Sequence, residues 1–283
     1  METKIMRVCC GIVTYNPDLI LLNKNILAIG KQVPQIFIVD NGSKNLLKIQ
    51  EIANTSNKIY LINNKKNEGI AKALNELCLS AMHFGYNWII TLDQDSICPP
   101  KFVESLSEFA SKNVGIVAPI IIDRNVGVIG HAPINKPKEV RTCITSGALT
   151  NLRVWKKING FDEQMFIDSV DFEFCYRVRK AGFKILQLPS IKLNHSVGEA
   201  RKYRFLFWTF LDTEHNAFRA YYISQNNIYY PRKHRLFLRL IRGNLRNIKY
   251  VFVVLLYEKD KIKKIKSIFR GWKNGYRLSK KYL

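Results

Sequence analysis

Hydrophobic and polar positions alternate between two periods along the first 120 residues. Short, continuous, β-branched apolar runs lie at 7–13, 35–39, 58–62, 88–92 and 114–122, and each reads as a strand. Between the third and fourth runs the period changes. Ile70, Leu74, Leu77, Ala81 and Phe84 recur at three and four residues, so the spacing predicts an amphipathic helix that Gly85 stops. Phe102, Leu106 and Phe109 mark a second helix, opened by Pro99-Pro100. Strands alternating with helices predict an α/β fold with a doubly wound, mostly parallel sheet and helices on both faces. Unbroken apolar runs fit strands buried on both faces. Ligands of such sheets bind beyond the carboxyl ends of the strands. Polar residues gather at those ends: Thr14-Tyr15-Asn16, Asp40-Asn41, Asn63-Asn64 and Asp93-Gln94-Asp95.

Residues 123–200 change character, with short segments, many turns and one clear helix at about 170–181 that Gly182 closes. Beyond residue 200 the chain reads as mainly helical. At 100° per residue Arg235, Arg239, Arg242, Arg246 and Lys249 fall in one stripe, and Phe237, Ile241, Leu245, Ile248, Phe252 and Leu255 form an apolar stripe on the other side. Ile262, Ile265, Phe269 and Trp272 repeat the spacing among lysines. The expected organisation is a domain at 1–200, with halves at about 1–125 and 126–200, followed by a basic helical region at 201–283.

The chain has 283 residues, of which 47% are hydrophobic, too many for a disordered basic tail. Its net charge of +23 calls for an anionic partner such as nucleic acid, a membrane surface or a phosphorylated substrate. The charge is uneven. Residues 201–283 hold 21 Lys and Arg against four Asp and Glu, a net of +17, which leaves +6 for the first 200 residues. The plainer reading of that charge is codon bias, since the chain is rich in Lys, Asn and Ile. Six cysteines, at 9, 10, 78, 98, 143 and 175, contain no C-x-x-C pair. Their spacing fits neither a zinc site nor a small disulfide scaffold, so reduced thiols are expected. No N-terminal signal is expected, because the first apolar stretch is short, and no run approaches the roughly 18 apolar residues of a membrane span.

The most informative stretch is Thr91-Leu92-Asp93-Gln94-Asp95-Ser96. Two carboxylates one residue apart, just past a buried strand, suit Mg²⁺ or Mn²⁺, which take oxygen ligands and share them with substrate phosphates. An isolated D-x-D is equally a solvated turn, and context separates the two readings. The chain resembles glycosyltransferase family 2, over roughly residues 7 to 225. Seven ordered blocks carry the resemblance: Val13-Thr14-Tyr15-Asn16-Pro17, Ile38-Val39-Asp40-Asn41-Gly42-Ser43, Asn67-Glu68-Gly69-Ile70-Ala71, Leu92-Asp93-Gln94-Asp95-Ser96, Thr145-Ser146-Gly147, Asn159-Gly160-Phe161-Asp162-Glu163, and 166–173. The L-D-Q-D-S and F-I-D-x-V-D-x-E forms look most like its rhamnosyltransferase branch, which uses dTDP-L-rhamnose.

The resemblance implies a GT-A fold and an inverting transfer of a sugar from a nucleotide-sugar donor to a saccharide acceptor. It implies donor contacts from Thr14, Tyr15, Asp40, Asn67, Gly69 and Asp93, and a divalent metal, Mg or Mn, on Asp93, Asp95 and His195. Ser146 and Gly147 would face the acceptor. Asp171 is the implied base. In many members a Glu-Asp pair stands there, but here Val170 precedes Asp171, so Asp168 is the rival. Each position has a plainer reading as well: Asp40 as a turn-former, Asn67 as a helix cap, His195 as a structural residue, Ser146-Gly147 as a turn, and Asp168 and Asp171 as ordinary helix-start residues.

Such enzymes often extend lipid-linked saccharides in cell-surface polysaccharide and O-antigen synthesis. The basic helices would then attach a cytoplasmic enzyme peripherally to an anionic inner membrane face, each Lys or Arg contributing roughly 1 kcal/mol. Packing onto the rest of the protein explains the same stripe. A UDP-hexose donor is the alternative within the family. A nucleic-acid-binding protein is the alternative outside it, but the basic region carries no recognisable binding motif, so no nucleic acid is expected.

Overall fold

A computed structural model describes residues 6–123, 127–195, 201–205, 208–212 and 216–279, with backbone alone for residue 195 and for the segments 201–205 and 208–212. The chain divides into two compact units. One comprises Met1–Phe161 and Phe174–Ser196, and the other Asp162–Glu173 and Val197–Leu283.

The first unit is built on a nine-stranded sheet in the order β3-β2-β1-β4-β8-β5-β9-β7, with β6 paired to β5. The predicted runs form β1 (Val8–Thr14), β2 (Ile36–Asp40), β3 (Ile59–Asn63), β4 (Trp88–Asp93) and β5 (Val114–Asp123). The remaining strands are β6 (Gly127–Ile129), β7 (Lys138–Glu139), β8 (Leu149–Asn151) and β9 (Lys184–His195). The longest ladders, β1 with β2 and β4, β2 with β3, and β5 with β9, are parallel, while β8 runs antiparallel between β4 and β5. Every residue of β2 is buried, as its unbroken apolar run predicts, whereas β3 at the sheet edge is half-exposed. Ile12, Ile38, Ile90, Leu149 and Leu193 join in one core with the inward residues of α1 (Leu19–Gly30), α2 (Leu46–Ala53) and α4 (Phe102–Ser107). The helix predicted from the three-four spacing is α3 (Ile70–His83).

Two of the elements in this unit that escape the periodicity are α1 and β9. In α1 the apolar residues cover the whole circumference, with exposed Ile20 and Leu27 as well as buried Leu22, Ile26 and Ile29, so no helical stripe stands out. Its start is visible as Asp18, whose carboxylate accepts from the amides of Ile20 and Leu21. β9 is interrupted by Pro189 and by irregular register against β5, which hides a twelve-residue strand.

In the second unit α7 (Ala217–Lys233), α8 (Phe237–Tyr257) and α9 (Lys261–Arg277) follow an antiparallel pair, β10 (Arg201–Phe205) and β11 (Trp208–Asp212). That pair stands at the start of a region expected to be mainly helical. The helices cross at glycines. A Cβ on Gly243 would lie 2.0 Å from the Asn227 carbonyl oxygen of α7, and one on Gly271 would lie 2.0 Å from the Tyr221 carbonyl oxygen. Backbones this close leave no space for any side chain at those two positions.

The amphipathic stripe of α8 faces outward. Its inner face is Gly243, Asn247 and Val254, and Asn247 Nδ2 donates to the Ser224 carbonyl at 3.0 Å. Phe237, Ile241, Leu245, Ile248, Phe252 and Leu255 are instead 43–71% exposed. At 100° per residue this exposed apolar arc covers about 80°, and Arg242, Arg246 and Lys249 adjoin it on one side, whereas Arg235 precedes the helix with a φ of +56°. No helix among the described residues is long and apolar enough to cross a membrane.

Candidate active site

Strand register aligns the polar strand ends of the first unit. Thr14 pairs with Asp40, Asp40 with Asn63, and Val13 with Asp93, so four polar strand ends stand in one row at the carboxyl edge. Asp40 is fully buried. Its Oδ1 accepts from the Thr14 hydroxyl at 2.9 Å and the Ser43 hydroxyl at 2.5 Å, and its Oδ2 accepts from the Ser43 amide at 2.8 Å. These bonds close the turn after β2 and tie it to the end of β1. Thr14 is buried with it, and Tyr15 beside it is 49% exposed.

An amide latch orders the approach to α3. Asn41 Nδ2 donates to Asn67 Oδ1 at 3.0 Å and to the Gly69 carbonyl at 3.3 Å, and its Oδ1 accepts from the Glu68 amide at 3.0 Å. Asn67 Oδ1 also accepts from the Gly69 amide at 3.0 Å. The residue at the N-cap of α3 is Gly69, which has no side-chain cap bond. Asn67 therefore acts two residues before the cap and shapes the turn.

The acidic turn after β4 is held from three directions. Asn25 of α1 donates to the Asp93 carbonyl at 2.8 Å, the Asp93 amide donates to Ser146 Oγ at 3.2 Å, and the Ser96 and Ser146 hydroxyls bond each other at 2.9 Å. Gln94 accepts from the Tyr15 amide at 2.8 Å, which joins this turn to the end of β1. Two motifs 53 residues apart in sequence, L-D-Q-D-S and T-S-G, therefore form one structure. Ser146 is 3% exposed with its hydroxyl engaged, so its observed work is to hold the acidic turn. A Cβ on Gly147 would lie 2.6 Å from Leu193. A bridge between Ile97 and Asn194 brings the backbone next to His195 beside the same turn, and His195 itself pairs with Asp123 at the end of β5. The His195 side chain lies outside the described residues.

Asp93 and Asp95 are half-buried. Together they present hard oxygen donors on a single turn. Among the described residues no three of His, Cys, Asp and Glu cluster as a metal site. Two carboxylates without a closed set of protein ligands suit Mg²⁺ or Mn²⁺, which keep positions for substrate phosphate oxygens. The thiols do not compete for this role. Burial pushes Cys9, Cys10 and Cys78 well above the ordinary thiol range and Cys98 up to about 12, so all four stay protonated and are poor metal ligands.

Asp168 and Asp171 belong to the second unit. The segment 162–173 lies along α7. Arg219 grips the Asp168 carboxylate with Nε at 3.2 Å from both oxygens and Nη2 at 3.0 Å from Oδ1. Asp171 lies in the first turn of α6 (Val170–Lys180), where the Phe172 amide donates to its Oδ1 at 2.8 Å. Flanking them is a buried charge cluster. Lys233 Nζ lies 2.7 Å from Asp162 Oδ2 and 2.8 Å from Glu173 Oε1, His234 Nε2 lies 2.8 Å from Glu173 Oε1, and the Tyr229 hydroxyl donates to Asp162 Oδ2 at 2.8 Å. Burial, with Asp162 and Glu173 nearby, drives the Tyr229 hydroxyl far above its ordinary value, so it remains a donor. Reading the sequence missed Asn25, Gln94, Arg219, Asn226 and Lys233. Asn25 lies in the polar run Asn23-Lys24-Asn25 and Asn226 in Ser224-Gln225-Asn226-Asn227, so no local signal sets either apart.

A mixed sheet carrying an acidic turn at the end of its fourth strand is the GT-A architecture. It is shared with the structure of GalNAc-T7 with UDP, GalNAc and Mn²⁺ (TM-score 0.58, 14% identity, 83% of this chain and 51% of that one). It is shared also with Staphylococcus aureus TarS residues 1–349 (TM-score 0.58, 12% identity, 95% of this chain and 81% of that one). This chain thus spans about half of the GalNAc-T7 chain. The protein belongs to glycosyltransferase family 2, whose sequence model, "Glycosyl transferase family 2", matches residues 9–168, and it is a glycosyltransferase enzyme. It is 30% identical over 285 aligned positions to the dTDP-rhamnosyl transferase RfbF of Shigella flexneri, covering 94% of each chain. An uncharacterised glycosyltransferase of Haemophilus influenzae is 28% identical over 103 residues, covering 34% of this chain and 31% of the relative.

Proposed function

We propose that this enzyme transfers L-rhamnose from dTDP-L-rhamnose to a hydroxyl of a saccharide acceptor with inversion at the anomeric carbon. The observation that carries the reading is the near full-length similarity to a dTDP-rhamnosyl transferase. In this reading Tyr15, the turn held by Asp40 and Thr14, and the turn at Asn67-Gly69 form the nucleotide side. Asp93 and Asp95, with His195 as a third candidate, would hold a divalent cation, whose chemistry when bound is to neutralise charge on the departing diphosphate. Ser146 and Gly147 support the acidic turn from behind. Asp171 takes the proton from the acceptor hydroxyl. Asp171 stands where the family motif places the base, and the neighbouring Asp168 carboxylate is held in a bidentate fork by Arg219.

The exposed apolar arc of α8 with its adjoining arginines supports peripheral attachment to an anionic membrane, where a lipid-linked acceptor in cell-surface polysaccharide synthesis would be reached. The test is product formation from dTDP-rhamnose against UDP-sugars with Mn²⁺. Turnover with dTDP-rhamnose is expected, and exclusive use of a UDP-hexose overturns the donor assignment. In the same assay Asp171→Asn should lower turnover by about 10²–10⁴ while nucleotide binding persists. Flotation with anionic vesicles should be lost in Phe237→Ser/Leu245→Ser/Phe252→Ser. Undiminished flotation of that triple variant removes α8 as the anchor.

A further inference from the structure

The family match ends at Asp168, and α7 begins 49 residues later. Yet among the described residues α7 fixes the loop that carries Asp171 at several points. Two features make this more than packing. Asp168 and Ser169 are consecutive non-glycine residues in the left-handed region, with φ of +66° and +60°. Such a pair persists only where the surroundings over-determine it. The determinants are on α7. Asn226, 1% exposed, donates through Nδ2 to the carbonyls of both Ile167 and Asp168 at 2.8 Å. One amide thus bridges two successive carbonyls at the point where the chain turns into α6. Arg219, two turns earlier on α7, holds the Asp168 side chain in its fork, so backbone and carboxylate are fixed by the same helix.

We propose that Asn226 and Arg219 are positioning residues that set the base-bearing first turn of α6, so that α7, beyond the stretch the family match covers, controls the rate of the chemical step. Asn226 fixes the path of the main chain into Asp171. Arg219 fixes the Asp168 side chain and with it the left-handed turn at Asp168-Ser169 that leads into Asp171. Neither touches substrate. The inference rests on Asp171 being the base.

The variants to compare are Arg219→Gln, Arg219→Lys and Asn226→Ser, each in the full chain, with kcat, donor KM and melting temperature measured together. Arg219 is 44% exposed at its side chain, so its variants should fold. Small misplacement of a reacting group costs on the order of 10²-fold in rate. Arg219→Gln and Asn226→Ser should therefore lower kcat by roughly ten- to a hundredfold with donor KM within about twofold. Arg219→Lys, which keeps the charge but not the fork, should recover part of the Arg219→Gln loss. Unchanged kcat in both Arg219→Gln and Asn226→Ser overturns the proposal. So does a loss in kcat accompanied by an equal rise in donor KM and a fallen melting temperature, which marks a structural role alone. Asp171→Asn serves as the reference. If it retains turnover, the base assignment fails on its own, independently of α7.

Discussion

Asp40 in the first unit and Asp168 in the second are both aspartates held by three hydrogen bonds at a turn, and their partners are opposite in kind. Asp40 takes hydroxyl and amide donors from Thr14 and Ser43, none of them charged. Asp168 takes a guanidinium, and its neighbours Asp162 and Glu173 take a buried lysine. Neutral donors orient a carboxylate without cancelling its charge, so a strand edge with Asp40, Asp93 and Asp95 keeps a negative field suited to a cation and its diphosphate. Cationic partners cancel charge and fix shape. The two units thus hold the same residue type in different ways, one with uncharged donors and one with cations.

The largest expected effect tests that contrast directly. Lys233→Met removes the ammonium shared by two buried carboxylates and should cost about 3–5 kcal/mol in urea unfolding, whereas Asp40→Asn, whose donors are all uncharged, should cost about 1–3 kcal/mol. Equal costs would break the comparison. Gly271→Ala, which drives a methyl into the Tyr221 carbonyl, should lose about 1–3 kcal/mol through the helix contact alone and leave nucleotide binding intact. The smallest effect is one of pH. The Tyr229 hydroxyl is raised above its ordinary value near 10, so its contribution to stability is complete below about pH 10 and is lost as pH climbs toward the higher folded value. Tyr229→Phe should therefore flatten the alkaline limb of a melting-temperature profile. An unchanged limb assigns that loss to the buried thiols of the first unit, whose raised values act in the same direction from about pH 8.5.

Much of the first unit was legible. Runs of apolar residues ending in Asp, Asn or Thr located β1 to β5 and the row of polar strand ends, because strand burial and turn chemistry are local. The basic and apolar stripes of α8 were also legible, but not which side of the helix faces inward. The wheel showed an apolar stripe that any packed helix would display. The structure turns that stripe outward, because Gly243 and Asn247 permit a closer approach to α7 than leucines would. The family resemblance marked Asp171 in the 162–173 segment as the base and Asp168 as its rival, with ordinary helix-start acids as the plainer reading. The segment's grouping with the C-terminal helices was not readable, because Arg219, Asn226 and Lys233 follow no period relative to it.

By itself the amino-acid sequence determined the strand-helix alternation, the acidic turn at Asp93 and Asp95 and the excess of positive charge beyond residue 200. These depend on residue spacing and on turn preferences that act within a few positions. Only the tertiary structure decided that Ser146 braces the acidic turn, that Asp168 is paired rather than available, and that the apolar arc of α8 lies exposed. Each depends on which distant surfaces meet: Ser146 and Asp93 are 53 residues apart, and Asp168 and Arg219 are 51. No local pattern encodes such meetings, since they arise when whole helices and strands pack to bury their faces together.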